Sequence, residues 1–230
     1  MTTGHRLTLG QATLVATAAR ALWLPATQTL CVSDLHLGKA GRIARRGGTM
    51  LPPYETLDTL HRLATAIEDF APKTVICLGD SFDDMDAADE LLPDALTTIT
   101  QLQAGRLWYW IEGNHDAGPI GIGGTHVQSL SHAGLHFRHI ATEARGEVSG
   151  HYHPKHAIAG TGLARPCFVY DAHRLILPAF GTYTGGLKAT SPEVSRLFDQ
   201  DAIAVLTGPS AIAVPLKRSP PPRGSRGRFY

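Results

Sequence analysis

Aspartate, asparagine and histidine residues that could bind metal ions occur in four short motifs, each after an apolar run. The motifs are DLH at 34–36, GDSFD at 79–83, GNHD at 113–116 and GHYH at 150–153. Such runs are typical of buried strands, and the carboxyl ends of parallel strands line one crevice of an open α/β sheet. We therefore expect the polar side chains of the four motifs to converge.

The residue types in these motifs suit a pair of divalent metal ions. A carboxylate can bridge two cations, while imidazole nitrogens and a carboxamide oxygen fill the remaining positions. Two such ions can hold and activate a water molecule between them. Glycines before Asp80, Asn114 and His151 allow the sharp turns that crowded ligation requires. A single Asp-x-His after a strand is usually a turn, but four motifs in this order favour a metal site.

Strands and helices alternate in the first half of the chain, and strands predominate afterwards. Apolar residues recur at helical spacing in two segments, whereas the run over 73–80 is continuous and β-branched. The predicted elements are a hairpin over 12–25, strands over 28–34, 73–80 and 106–116, and helices over 52–70 and from Pro93 onward, with a loop over 81–92. Alternating runs after residue 134 predict further strands. This layout predicts two packed sheets with helices outside.

Length and charge favour one domain without a global basic field. A chain of 230 residues with 43% hydrophobic content can bury a core, and we expect a single domain over 1–216. The 21 basic and 20 acidic residues nearly cancel, so nucleic-acid binding must come from local patches. Cys31, Cys77 and Cys167 lie in apolar segments and predict buried free thiols. No apolar run is long enough for a membrane helix, so we expect a cytoplasmic protein without membrane contact.

Two local basic segments could contact phosphates. Lys39, Arg42, Arg45 and Arg46 follow the first motif with no acid among them, and they could bind DNA or form a solvated loop. The Pro- and Arg-rich tail over 217–230 is predicted to be disordered, and it could tether nucleic acid or only solubilise the chain. Acidic residues at 83, 84, 86, 89 and 90 would repel a polyanion unless they face away.

The four motifs in this order resemble those of the calcineurin-like metallophosphoesterase superfamily. Within it, SDLHLGK, GNHD, GHYHP and PAFGTYTGG resemble the bacterial ligase-associated DNA-damage-response endonucleases, the PdeM family. The resemblance implies a four-layer αββα sandwich of two mixed β-sheets flanked by helices. It also implies a phosphodiesterase of DNA repair, typically assayed with manganese, whose family neighbours include a helicase, an ATP-dependent DNA ligase and an exonuclease.

The resemblance also implies roles for individual residues. One metal ion would be held by Asp34, His36 and His153, the second by Asn114, His139 and His151, and both by Asp80. His115 would act as the acid at the leaving oxygen, and Asp116 would orient its imidazole. Asp83 is expected to support the site rather than to bind a metal ion.

One histidine ligand is ambiguous, because His126, His132, His136 and His139 all lie between GNHD and GHYH. His139 ends the alternating run GLHFRHI and is expected at a strand end, so it is the first choice and His136 the second. Oxygen and imidazole ligation without thiolate suits Mn²⁺ and tolerates Fe, Co, Ni or Zn.

Three functions are compatible with these observations. The first is a metal-dependent phosphodiesterase that cleaves DNA, either single strands or end structures. The alternative is a phosphodiesterase or phosphatase that acts on nucleotides or a small pyrophosphate. The third is a scaffold that keeps the fold without metal ions, and the complete ligand set argues against it.

Overall fold

Two β-sheets form the centre of the protein in a computed structural model that describes residues 4–45, 47, 54–84, 87, 90–116, 118, 121–158 and 162–216. The first sheet contains seven strands in chain order: β1 Gly4–Leu9, β2 Ala12–Thr17, β3 Leu22–Leu24, β4 Thr29–Val32, β5 Thr74–Leu78, β6 Leu107–Ile111 and β7 Thr125–Val127. Strands β4 to β7 run parallel to one another, and the pairs from β1 to β4 are antiparallel. The predicted hairpin over 12–25 is the β2–β3 pair.

The second sheet contains the later strands. They are β8 Ser129–His132, β9 Leu135–Arg138, β10 Glu147–Ser149, β11 Lys155–Ala157, β12 Ala164–Tyr170, β13 Arg174–Ile176, β14 Ile203–Leu206 and β15 Ile212–Pro215. Their order is β15-β14-β12-β13-β10-β9-β8, and β11 pairs with β12. Strand β10 is parallel to β9 and to β13, whereas the other pairs are antiparallel. Both sheets are therefore mixed, as predicted.

The described residues include four α-helices. They are α1 Lys39–Arg45, α2 Glu55–Phe70, α3 Pro93–Gln103 and α4 Pro192–Ser195. Helix α3 begins at Pro93 as predicted, because proline has no amide hydrogen to lose at the first helical position. Helix α2 ends at Phe70 as predicted, whereas Pro52 and Pro53, where we expected it to begin, lie outside the described residues.

Three clusters of buried apolar residues define the layers. Leu60 and Leu63 of α2 pack with Ile99 of α3 against the outer face of the first sheet. The second cluster joins the two sheets, for example through Ile76 and Phe137. In the third cluster, Val194 of α4 and Phe198 pack on the second sheet. The four-layer αββα sandwich is confirmed, although its last layer is a four-residue helix with adjoining loops.

The described residues also bear on the predictions about the cysteines, membrane helices and the tail. Cys31, Cys77 and Cys167 are buried free thiols, as predicted, and burial raises the pKa of each. Among the described helices, none is both long and apolar enough to cross a membrane. The predicted disordered tail over 217–230 lies outside the described residues.

The parallel register brings the ends of β4, β5 and β6 to one edge of the first sheet. Val32 lies opposite Cys77, which lies opposite Trp110, and a polar motif follows each strand within a few residues. Strands β9 and β10 of the second sheet end beside this edge, since the amide of His151 donates to the carboxylate of Asp34 at 3.1 Å. Side chains from five strand ends can therefore meet there.

Candidate metal centre

Seven predicted metal ligands lie together where β4, β5, β6, β9 and β10 end. Their ligating atoms form two groups, and within each group the atoms lie within 4.8 Å of one another. The first group is Asp34, His36 and His153, and the second is Asp80, His139 and His151. Asn114 joins the second group, because its Oδ1 lies 3.0 Å from Nε2 of His139. The two groups are adjacent, with Nδ1 of His139 only 3.8 Å from Oδ1 of Asp34.

In the first group, the imidazole nitrogens face a fully buried carboxylate. Oδ1 of Asp34 lies 3.2 Å from Nε2 of His153, and Nε2 of His36 lies 3.5 Å from the same nitrogen. Nδ1 of His36 donates to Oδ1 of Asp83 at 2.8 Å, since an ionised carboxylate can only accept. In its neutral form, His36 therefore has the lone pair on Nε2 and faces the group with it, as metal ligation requires. Asp83 thus orients the ring of the candidate ligand His36.

The second group surrounds one nitrogen of His139. Its Nδ1 donates to the carbonyl of Leu78 at 3.1 Å, which leaves the lone pair of the neutral ring on Nε2. Three other acceptor atoms approach this nitrogen: Oδ1 of Asn114 at 3.0 Å, Nδ1 of His151 at 3.1 Å and Oδ2 of Asp80 at 3.3 Å. Lone pairs that converge in this way repel one another unless a proton or a cation lies between them.

The electrostatics of the two groups favour a positive ion. Burial would raise the pKa of Asp80, but the hydrogen bond and the charge of His139 outweigh it and hold this pKa below its usual range. Burial would lower the pKa of His139, and the nearby carboxylates of Asp80 and Asp34 raise it instead. Burial, together with the charge of His139, lowers the pKa of His151 and favours its neutral, ligating form. Oxygen and nitrogen donors around two carboxylates therefore fit divalent cations.

Several non-glycine residues at the site have a positive φ, a backbone conformation that residues with a side chain rarely adopt. Five of the ten described non-glycine residues with positive φ belong to the two groups: Asp34 at 54°, His36 at 48°, Asp80 at 45°, His151 at 70° and His153 at 45°. Such conformations cost roughly 1–3 kcal/mol each and are concentrated at functional sites. Their concentration here favours a functional site over a set of ordinary turns.

Two glycines permit the close approach of the ligand-bearing loops. Gly79 has a φ of +73°, and a Cβ at this position would overlap the ring of His139. A Cβ at Gly150 would overlap Oγ of Ser33, which donates to Oδ2 of Asp34 at 2.5 Å. The glycines before Asp80 and His151 are thus needed for space, and Gly79 is also needed for its positive φ.

Of the four histidines between GNHD and GHYH, His139 lies among the ligands. It is buried directly after β9, at the strand end where its position in GLHFRHI placed it. The other three make contacts elsewhere: His126 stacks on Trp110, His132 hydrogen-bonds to Thr29 at 2.8 Å, and the exposed His136 hydrogen-bonds to Ser131 at 3.0 Å. The second choice, His136, therefore lies outside both groups.

Comparisons with known proteins agree with this arrangement. The family model described as calcineurin-like phosphoesterase matches residues 27–194, which include all seven candidate ligands of the two groups. The chain belongs to the calcineurin-like phosphoesterase family. The resemblance seen in its motifs is thereby confirmed, and the chain is a metal-dependent phosphoesterase.

One solved structure supports the same conclusion. The phosphoesterase is similar to the crystal structure of Pseudomonas putida nuclease MPE, with 27% sequence identity and a TM-score of 0.70. The match covers 88% of this chain and 96% of that chain, so the likeness extends over the whole sandwich. No curated protein sequence matches the chain.

His115 lies at the margin of the phosphoesterase site, with about one-third of its side chain exposed. Its Nδ1 donates to the backbone carbonyl of Asp83 at 2.8 Å, and its Nε2 lies 4.0 Å from Oδ2 of Asp80. The imidazole is therefore oriented by a main-chain carbonyl. The prediction that Asp116 orients His115 is wrong.

Asp116 instead binds the backbone of two ligand-bearing loops. Its Oδ1 accepts from the amides of Asp80 and Gly113 at 3.1 and 2.9 Å, and its Oδ2 accepts from those of Ser81 and Phe82 at 2.7 and 3.1 Å. The side chain turns inward because these buried amides need acceptors. Burial, together with the charge of Asp80, raises the pKa of Asp116 to about 6, although the backbone hydrogen bonds act in the opposite direction. Asp116 therefore fixes the loops after β5 and β6.

Asp116→Asn is expected to lower the free energy of unfolding by about 1.5–3 kcal/mol. An asparagine can place one oxygen at the first pair of amides, but its amide group then opposes the N–H groups of Ser81 and Phe82. Denaturant unfolding at pH 8 would measure the change. Asp201→Asn, at an exposed position, is the control, and equal stability of the two variants would contradict the role assigned to Asp116.

The predicted substrate-binding residues after the first motif are only partly described. The guanidinium of Arg42 is bound to the carboxylate of Asp83, which is itself buried. Arg42 therefore neutralises a buried acid beside the site, a partner that neither the DNA-binding nor the solvated-loop interpretation had assigned to it. Lys39 begins α1 and is half-buried. The side chain of Arg45, and the whole of Arg46, lie outside the described residues.

Asp83→Asn is expected to weaken metal binding by about 10- to 100-fold. The substitution removes an anionic acceptor from Nδ1 of His36 and from Arg42, so the ligand ring loses its fixed orientation. Titration of the metal-free protein with Mn²⁺ would measure the affinity. In the matched control, Asp84→Asn, the changed carboxylate contacts the amide of Ala87, and we expect unchanged affinity. Equal affinities in both variants would exclude support of His36 by Asp83.

Proposed function

We propose that this phosphoesterase is a phosphodiesterase that uses two metal ions to cleave DNA, preferably single strands or end structures. The observation that carries the proposal is the position of the metal centre between two open depressions. One has a volume of about 440 Å³ and is lined by residues that include Asn114, Gln128 and His139. The other has a volume of about 400 Å³ and includes Arg20 and Thr182.

The order of strands in the first sheet separates the two depressions. The larger one is built on residues after β6 and β7, while Arg20 belongs to the turn between β2 and β3. Asp34 and Asp80 follow β4 and β5, which lie between these pairs of strands. A polymer could therefore cross the metal centre and contact the protein on both sides, which a single nucleotide is too small to do.

The ligands support a site for two divalent cations. We assign one to Asp34, His36 and His153, the other to Asn114, His139 and His151, and the bridge to Asp80. Such cations supply Lewis acidity, which activates water and offsets charge on phosphoryl oxygens. The mixed oxygen and imidazole donors favour Mn²⁺, and they tolerate Fe, Co, Ni or Zn.

His115 is the residue that could supply a proton to the leaving oxygen. The Asp83 carbonyl holds the Nδ1 proton of His115, so Nε2 is the nitrogen that faces the site. In the imidazolium form Nε2 carries a second proton, and from this position His115 can give that proton to the leaving oxygen of the phosphodiester and become neutral.

The similarity to Pseudomonas putida nuclease MPE supports nucleic acid as the substrate class. A role in DNA repair, beside a helicase, an ATP-dependent DNA ligase and an exonuclease, follows from the sequence resemblance alone. Increased sensitivity of cells that lack this chain to DNA-damaging agents would support that role. Normal survival with a fully active purified nuclease would contradict it.

The activity is tested with two substrates side by side. Purified protein with Mn²⁺ is given bis-p-nitrophenyl phosphate and a labelled single-stranded oligonucleotide, and Asp80→Asn is the control for the metal centre. Cleavage of both substrates, abolished in the variant, is the expected result. Cleavage of the small diester alone would overturn the DNA substrate and favour a nucleotide-sized one.

A further inference from the structure

The depression beside the β2–β3 turn contains an excess of positive charge. It is lined by Ala18, Ala19, Arg20, Asp58, Arg62, Thr182, Tyr183 and Gly208. Asp58 is the only acid among these residues, and it faces two guanidinium groups. Its carboxylate also accepts a hydrogen bond from the hydroxyl of Thr182. The lining residues therefore carry a net charge of about +1 in a concave surface, which favours an anion.

Besides Asp58, the two arginines contact neutral groups. The guanidinium of Arg62 lies 4.6 Å from the ring centre of Phe180, and its Nη1 approaches Oγ1 of Thr182 at 3.5 Å. Nη1 of Arg20 donates to the carbonyl of Ala179 at 3.5 Å. A guanidinium has five N–H donors, so these interactions leave donors of both arginines available for a ligand.

Without a ligand, the positive charges of Arg20 and Arg62 repel each other. Burial, with the charge of Arg62, lowers the pKa of Arg20 to about 10, while Asp58 acts in the opposite direction. Burial also lowers the pKa of Arg62. Both side chains nevertheless remain charged near neutral pH. A phosphate group, which accepts hydrogen bonds from planar guanidinium groups in pairs, would remove this repulsion.

The depression lies beside the metal centre. Strand β3 is antiparallel to β4, so the turn that contains Arg20 lies at the same edge as Asp34. The segment after Phe180 connects the two places. The amide of Gly181 donates to the carbonyl of Asp34 at 3.1 Å, and Thr182 follows directly. Thr182, which lines the depression, therefore directly follows a residue that is hydrogen-bonded to the candidate metal ligand Asp34.

An exposed aromatic ring completes the surface. Tyr183 is 52% exposed, and its φ is +57°, which is rare for a bulky residue. Arg20, with a φ of 72°, is another such residue in the same depression. Aromatic rings beside basic groups are the usual stacking surfaces for unpaired bases. An exposed ring beside two guanidinium groups suits a nucleotide better than it suits inorganic phosphate, which has no base to stack.

We propose that Arg20, Arg62 and Tyr183 bind the nucleotide adjacent to the cleaved phosphodiester in a single strand of DNA. The arginines bind its phosphate, and the tyrosine ring stacks on its base. This inference rests on the proposed function, because it assumes a polynucleotide at the metal centre. It assigns to this depression the phosphate binding that the sequence had suggested for the segment after the first motif.

The experiment compares Arg20→Gln/Arg62→Gln with unchanged protein and Mn²⁺ on the two substrates. KM for a single-stranded oligonucleotide is expected to rise at least about tenfold with little change in kcat, because two cationic groups that bind phosphate are removed. The slope of log KM against log salt concentration should fall by about 0.7, because the variant no longer neutralises one phosphate of the single strand. KM for bis-p-nitrophenyl phosphate should stay within about twofold, since this diester is too small to reach the arginines.

Further variants test the role of the tyrosine ring and control for the loss of charge. Tyr183→Ala should raise KM for the oligonucleotide about tenfold, whereas Tyr183→Phe should not, because stacking needs only the ring. Arg6→Gln, on the edge strand β1, removes one positive charge at an exposed position and should change neither KM nor the salt slope. If the double variant does not fold, Arg20→Gln alone decides, since it leaves Arg62 and Asp58 in place.

The possible outcomes separate the two proposals. An oligonucleotide KM and a salt slope equal to those of Arg6→Gln would overturn the inference while leaving the nuclease proposal intact. Hydrolysis of the small diester by unchanged protein, without binding or cleavage of any oligonucleotide, would overturn both. A rise in KM for both substrates would overturn the inference as well, because it would mean that the arginines shape the metal centre itself.

Discussion

Asp80→Asn is expected to lower kcat/KM for phosphodiester hydrolysis at least about 10³-fold while the chain remains folded. Asp80 is buried, and its Oδ2 lies 3.3 Å from Nε2 of His139, at the junction of the two ligand groups. Asparagine keeps an oxygen for the amide of His115, which donates to Oδ1 at 2.9 Å. It removes the charge that a bridging ligand needs, and several kcal/mol of charge stabilisation correspond to a loss of this size.

Metal binding provides a test of Asp80→Asn that does not depend on activity. A ligand that binds only the folded protein raises its stability, so Mn²⁺ should raise the melting temperature of the unchanged protein. The variant should show a smaller increase and should bind fewer than two Mn²⁺ ions per chain. Asp201→Asn is the control for the charge change. Two bound ions and normal activity in Asp80→Asn would exclude Asp80 as a shared ligand.

The convergence of the candidate ligands could be predicted because their positions depend on strand ends. Asp34, Asp80 and Asn114 each follow an apolar run, and the parallel pairing of β4, β5 and β6 aligns those ends. His139 could be chosen over His136 for the same reason, since the alternating run placed it just after β9. The alternation of apolar residues in the sequence shows where a strand ends, so it also predicts which polar residues lie at that end.

The direction of loop side chains could not be predicted in this way. Asp116 follows His115 directly in the chain, yet its carboxylate turns inward to buried amides, including that of Ser81. Arg42 lies in a basic segment, but a buried acid 41 residues later binds its guanidinium. These outcomes depend on which partners the fold brings within hydrogen-bonding distance, and no local pattern records them.

The arginine pair was missed because its members are distant in sequence. Arg20 lies in a turn between two strands, and Arg62 lies on α2. The antiparallel pairing of β3 with β4 and the packing of α2 on the first sheet bring them to one depression. The motif PAFGTYTGG contributed to the resemblance, and the structure shows that its residues Thr182 and Tyr183 line the same depression.

Replacement of His115 should also cause a large loss of rate, and the size of this loss should depend on the leaving group of the substrate. His115→Ala is expected to slow oligonucleotide cleavage by about 10²- to 10⁴-fold, the usual contribution of a positioned acid. Bis-p-nitrophenyl phosphate should slow by less than about tenfold, because its nitrophenolate leaves without needing a proton. His61→Ala, at an exposed position on α2, is the control.

The same variant distinguishes an acid from a metal ligand. His115, His36 and Asp83 lie close enough to hold an ion, but hydrogen bonds already join them: Nδ1 of His36 donates to the Asp83 carboxylate, and Nδ1 of His115 donates to the Asp83 carbonyl. If His115 is the acid, His115→Ala keeps two Mn²⁺ ions and loses activity mainly on DNA. If it is a ligand, the variant loses an ion, and both substrates slow by the same factor. The ratio of the two losses therefore assigns the role, because only proton donation depends on the basicity of the departing oxygen.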